Sequence, residues 1–318
     1  MTRVLVVLLA LGTSVVAQAR PKVVVLKSSE LSSYRAAAAA FCAELGEVAE
    51  HLIVDEVEDL NQSRTLKRLA EIAPDLVFAL GPQAAVGARR VLGKTPVVFA
   101  MVPYFEKYEL DAPNVTGVGL TSDLALELSL IKAAMPDVRK VGVVYDSRYS
   151  QKFVDDAVAL ASPKGLTVLP VDIDGLGKLE RSLRTSRGRF DALVWVSDRT
   201  VATAAVVSRL IEWSLEEKLP SIAFGPAQVK EGAFLALSPT PTAMGQQAGR
   251  VARRIVEERV DPGALAVMAP DGSELYVNLT VAEALPDGEK WLSELLSFAA
   301  RQSLSVRPVE GELKALSK

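Results

Sequence analysis

The feature that most constrains this chain is a succession of short, almost wholly apolar runs separated by longer segments of helical period. The runs are 23-VVVL-26, 52-LIV-54, 75-DLVFAL-80, 96-PVVFAMV-102, 141-VGVVY-145, 167-TVLPVDI-173, 191-DALVWV-196 and 221-SIAFG-225. Strands that are apolar along their whole length are buried on both faces, the environment of a parallel sheet covered by helices. Helix candidates fill the intervals. Residues 33–48 place Ala37, Phe41 and Leu45 on a core face, and residues 60–72 do the same with Leu60, Leu66, Leu69 and Ile72. Two longer candidates span 200–218 and 242–259, the second with Gly245 and Gly249 at a spacing that permits close packing. The class is α/β, doubly wound. The outline also repeats: one set of βα units ends near 114-NVTGVGL-120 and another begins at 138-VRKVGVVYDSRYSQ-151. Two open Rossmann-like sheets in one chain predict two lobes with a cleft between them, and ligands of such sheets bind beyond the carboxyl ends of the strands.

Composition narrows the function. With 318 residues, 49% of them hydrophobic, the chain can bury cores for about two domains. The 36 Lys and Arg are balanced by 39 Asp and Glu, so no basic field exists to hold a nucleic acid. The first 19 residues, MTRVLVVLLALGTSVVAQA, have one Arg, an apolar core and Ala17-Gln18-Ala19, the pattern of a cleaved signal peptide. The expected location is periplasmic or otherwise extracytoplasmic. Cys42 is the only cysteine and His51 the only histidine, so an internal disulfide is impossible and a His-based triad or multi-His metal site has little material. No phosphate-binding loop or G-x-S-x-G motif is present, and neither cofactor nor metal is expected.

The segments PNVTGVG, VRKVGVVYDSRYS, DALVWVSDRTV, KEGAFLALSPTPTAMGQQAGRVARRIVEE and LYVNLTVAEAL, in this order across roughly residues 22–286, are similar to the ABC-transporter substrate-binding family of type 1 periplasmic-binding-protein fold. The branch resembled is that of tryptophan and tyrosine receptors. The resemblance implies a noncatalytic bacterial receptor whose two lobes, joined by a three-crossover hinge, close on a small molecule. Lobe 1 takes 21–118 and 239–274, lobe 2 takes 119–238 and 275–290, and 291–318 adds a C-terminal helix and a tail solvated after Arg307. The implied partners are a small-molecule ligand and an ABC permease in the inner membrane.

The site expected from this arrangement draws on the loops after the strands. In lobe 1, Ser28, Ser29 and Tyr34 follow the first strand, and Gly81, Gln83 and Ala84 follow the third. There Pro82 replaces the hydroxyl residue of the family turn and removes an N–H donor. Tyr104 with Phe105 offers rings that either stack on a ligand or pack under the loop. In lobe 2 the candidates are Tyr145, Asp146, Ser197, Asp198 and Phe224. Asp198 has two compatible roles, as acceptor for a ligand ammonium and as a helix cap. The hinge is assigned to Gly117, Gly119, Ser238 and Asn278. The three Asn residues all lie in N-x-[ST] triplets; two of these are read as hinge marks, with Asn61 as a helix cap. A ligand sensor uncoupled from transport and a secreted hydrolase using Ser28 or Ser29 are the alternatives, the latter lacking a His base.

Overall fold

The first four apolar runs become strands of one sheet, and the order in which these strands pair decides where a ligand can enter. The computed structural model describes residues 20–54, 64–103, 105–120 and 124–310. The leader at 1–19, the cap assigned to Asn61 and the chain end from 311 onward lie outside the described residues. Strands β1 (Lys22–Lys27), β2 (Glu50–Val54), β3 (Leu76–Leu80), β4 (Val97–Val102) and β5 (Val115–Gly119) form a parallel sheet in the order β2-β1-β3-β4-β5. Helices α1 (Ser32–Leu45), α2 (Arg64–Ile72) and α3 (Pro82–Leu92) make the connections. Alternate residues serve opposite faces, as a pleated strand requires. Val23 and Val25 pack with Phe41 of α1 and Phe78, while Val24 and Leu26 pack with Leu69 of α2 and Ala84 of α3.

The second sheet repeats the plan. Its elements are α4 (Leu124–Ala134), β6 (Lys140–Tyr145), α5 (Ser147–Ala161), β7 (Thr167–Asp172), α6 (Leu176–Arg184), β8 (Ala192–Trp195), α7 (Ala204–Glu216), β9 (Ser221–Ala223), α8 (Pro226–Glu231) and β10 (Leu235–Pro239). The chain then leaves this sheet. Helix α9 (Pro241–Glu257) packs on α1 of the first lobe, after which β11 (Ser273–Asn278), α10 (Leu279–Ala284), α11 (Gly288–Arg301) and β12 (Ser305–Val309) complete the second. The strand order is β12-β11-β10-β9-β8-β6-β7, parallel except where β11 runs against β10. Residues 305–309 form an edge strand, so Pro308 and Val309, the start of the tail expected after Arg307, are paired with β11. Arg307 holds the strand to β11 through Glu274, with Nη2 donating to Oε1 at 2.8 Å.

Close backbone approach is what lets α9 return. Its glycines face α1, and a Cβ on Gly245 would collide with the Ala37 carbonyl, while one on Gly249 would stand 2.7 Å from Glu44 Cβ. Gly117 has a related role, because a side chain there would strike the Phe99 carbonyl of the adjacent β4.

The crossovers are tied to one another. Thr240 N donates to Gly272 O at 3.2 Å beside the paired Pro239 and Ser273, so the second and third run together as an extension of the β10–β11 ladder. Ser238 is paired with Glu274 in that ladder. The end of β5 is bonded to the segment before β11, with Gly119 N donating to Met268 O at 2.9 Å and Met268 N to Gly117 O at 3.0 Å. Asn278 lies at the far end of β11 from the crossover. It is fully buried, accepts from Val281 N and donates to Val229 O, so its triplet marks the cap of α10 and not a bend.

The α1–α9 contact yields a paired expectation. Gly245→Ala should cost about 1–3 kcal/mol, the usual range for overpacking. Gly177→Ala, in α6 with nothing nearer its Cβ position than Arg181 Nη1 at 3.9 Å, should instead be neutral or stabilising. Thermal unfolding of the two variants checks this; equal midpoints would remove the backbone contact as a constraint.

Candidate ligand-binding site

In each sheet the strand order reverses once: between β1 and β3 in the first, and between β6 and β8 in the second. Adjacent connections there leave to opposite faces and open a crevice at the carboxyl ends. The residues following those four strands are Ser28, Gly81, Asp146 and the 196–198 loop, the positions singled out from sequence.

At the first reversal, four candidates meet. Ser28 N donates to Leu80 O at 2.9 Å, and Ser28 Oγ accepts from Ala84 N at 3.0 Å. Gly81 N donates to Ala100 O at 3.0 Å, joining the loop to β4. Gly81 has φ +85°, and a Cβ there would run into the Tyr34 hydroxyl and stand 2.7 Å from Ser28 Oγ. Glycine is therefore required twice over, by conformation and by space. Tyr34 is largely buried, and burial raises its pKa, keeping the hydroxyl protonated and able both to donate and to accept. Ser29 is half-buried beside Ser28, and Gln83 is exposed in the first turn of α3. Tyr104 lies outside the described residues; its neighbour Phe105 packs on Phe99, with ring centroids 5.4 Å apart.

The second reversal is built from charge rather than hydroxyls. Asp146 and Asp198 are each 1% exposed. Asp198 Oδ2 accepts from Asp146 N at 2.7 Å, while Oδ1 accepts from Thr200 N at 2.9 Å and Val201 N at 2.8 Å. Both its oxygens serve backbone donors. Asp198 does not start α7, whose cap position is Thr203; it closes a separate turn in which Ala202 N donates to Asp198 O at 2.9 Å.

Asp146 caps α5 by accepting from Arg148 N at 3.0 Å, and it also binds Arg148 Nε at 2.9 Å and the Thr200 hydroxyl. The Arg148 guanidinium holds its carboxyl down at about 2, from an ordinary value of 3.8. Beside it, Asp172 accepts from Ser147 N at 2.8 Å and pairs with Lys178 at 2.6 Å. Tyr145 turns into the core and donates its hydroxyl to Gln151 Oε1 at 3.3 Å; Phe224 packs half-buried against the α6–α7 side, and Ser197 is exposed.

The two carboxyl edges face each other. Lys107, from the turn Phe105–Tyr108 between β4 and β5, reaches the ring of Tyr149 in the first turn of α5, 4.0 Å from its centroid. Thr200, Tyr149 and Lys107 are absent from the sequence-based site. Only Tyr149 carries a signal there, as an aromatic immediately following a capping Asp-Ser-Arg.

The Asp146–Arg148 pair makes stability depend on pH. Because the folded carboxyl lies below its unfolded value, the stabilisation is complete above about pH 4 and is lost as the pH falls through about 2. Arg148→Met should lower the urea midpoint at pH 7, with a difference from wild type that narrows from pH 5 to pH 3. A difference that stays constant over that range would contradict the pairing.

Comparisons with known proteins agree with this geometry. The family model for ABC transporter substrate binding proteins matches residues 55–288. A tyrosine-binding protein of Clostridioides difficile (strain R20291) is 24% identical over 220 residues, 66% of this chain and 63% of the relative, so the match spans less than two thirds of that protein. Among solved structures, a ligand-free, open substrate-binding protein with adhesive properties from Clostridium difficile aligns with TM-score 0.70 at 21% identity, over 91% of this chain and all of the other. The Streptococcus pneumonia ABC domain in complex with L-Trp aligns with TM-score 0.56 at 20% identity, covering 83% of this chain and 94% of its own. Two lobes of parallel sheet, reversal points on facing edges and a family match over most of the length lead to one conclusion: the chain belongs to the ABC transporter substrate-binding protein family.

Proposed function

We propose that this protein is an exported, noncatalytic solute receptor that closes its lobes on a small organic molecule and presents it to an ABC permease in the inner membrane. The observation that carries the reading is the convergence of Ser28, Tyr34, Gly81 and Ala84 at the first reversal, on an edge that faces the second. Hinge closure then couples binding to docking. Among the described residues no helix is long and apolar enough to cross a membrane, and no group of His, Cys, Asp and Glu could hold a metal.

The ligand class proposed is an amino acid or another small carboxylate or aromatic solute. Two relatives support it: one is named as tyrosine-binding, and the other was solved with L-Trp. Tyr34 and Ser28 supply hydroxyls, and the exposed Gln83 supplies an amide at the start of α3. Asp198 acts as a positioning residue for the Asp146 loop, because its carboxylate already serves three backbone donors.

A thermal-shift panel of L-amino acids, including Tyr and Trp, with small carboxylates and aromatic amines tests this directly. A true ligand at 100 times its Kd adds about 2.7 kcal/mol and raises the midpoint. Tyr34→Phe should weaken that ligand about fivefold, equivalent to about 1 kcal/mol for one hydrogen bond. A panel in which nothing raises the midpoint would sink the proposed ligand class.

A further inference from the structure

The Lys107–Tyr149 contact belongs to neither core, and the backbone beneath Tyr149 is shaped to make it. Ser150 leaves the helical region (φ −131°, ψ 19°), so Ser147–Tyr149 forms a turn set off from the body of α5. The Asp146 carbonyl accepts from both Tyr149 N and Ser150 N, each at 2.9 Å, which fixes that turn on the end of β6. Arg148, anchored on Asp146, lies with its guanidinium carbon 5.4 Å from the centroid of the same ring. The ring is thereby held in place by its own lobe and met by a cation from the other.

We propose that Tyr149 and Lys107 form a rim latch, a contact across the cleft mouth that favours the closed arrangement of the lobes even without ligand. Opening separates the β4–β5 turn from α5 and breaks the cation–ring attraction, whereas the crossover hydrogen bonds persist in both arrangements. The latch thus acts on the open–closed equilibrium and not on the integrity of either lobe. An attraction of the strength found at exposed sites changes that ratio about two- to fivefold. A receptor that is partly closed before binding retains its solute longer once closed upon it, because the latch must break before the solute leaves.

The inference rests on reading the cleft as a solute site, but its test needs no solute, so the two can fail separately. Spin labels are placed on exposed Val91 of α3 and Val158 of α5 in a Cys42→Ser background, and the inter-label distance distribution of ligand-free protein is measured by double electron–electron resonance. Wild type should show a short and a long separation. Tyr149→Leu and Lys107→Met should each lower the short-to-long ratio about two- to fivefold. The double variant should lose no more than either single one, and Lys107→Arg should retain the short population. Circular dichroism melts of the variants should match wild type, since neither side chain lies in a core. A single long separation in wild type, an unchanged ratio in the single variants, or losses that add in the double variant would each overturn the latch.

Discussion

Helix α9 must lie within backbone contact of α1, and much of the architecture follows from that requirement. The helix is made after β10 of the second sheet, yet its buried face, from Met244 to Val256, completes the core of the first. The chain therefore has to cross back and then cross again to add β11. Gly245 and Gly249 make the approach possible because any side chain on them would occupy the space of α1. Once α9 is seated, the two neighbouring crossovers are forced side by side, and the Thr240–Gly272 hydrogen bond joins them. Bundled connections of this kind are where hinge motions between domains are absorbed.

The two halves of the site use different physical means to remain ordered. At the first reversal, the Ser28 hydroxyl and a constrained glycine are held by backbone hydrogen bonds, with no charge involved. At the second, buried carboxylates are satisfied internally, by backbone N–H groups around Asp198 and by Arg148 and Thr200 around Asp146. Burying charge is tolerable only with such compensation. The second edge is thus held together by compensated charge, and the first by neutral groups.

Much of the fold was legible in the sequence because β1, β3, β4, β6 and β8 each contain a continuous apolar run, as doubly covered strands do. Strands β11 and β12 escaped because SELYVN and SVRPV mix charged with apolar positions, the mark of strands near a sheet margin. Asn278 looked like part of a hinge because its triplet follows the third crossover in sequence, although an intervening strand carries it to the other end of the sheet. In the candidate site, Ser28, Tyr34, Gly81 and Ala84 were singled out through their places after strands, and the fold brings them together. The bonds from Thr200 N and Val201 N to Asp198 fit the capping role read from sequence, but the one from Asp146 N was not foreseen, since a carboxylate that binds backbone leaves no trace in the identity of the residue it binds. The Lys107–Tyr149 pairing joins residues of different lobes and has no local pattern to announce it.

The return of α9 also bears on how the molecule comes into being. The first lobe lacks part of its core until residues 244–256 have been made, and the second lacks Leu275, Val277, Trp291, Leu295 and Phe298 until later still. A nascent chain consequently holds two incomplete hydrophobic cores, and neither can close on local contacts alone. Non-local completion of this type slows folding. The interleaving that joins the two sheets also means that each core closes only when segments far along the chain have been made.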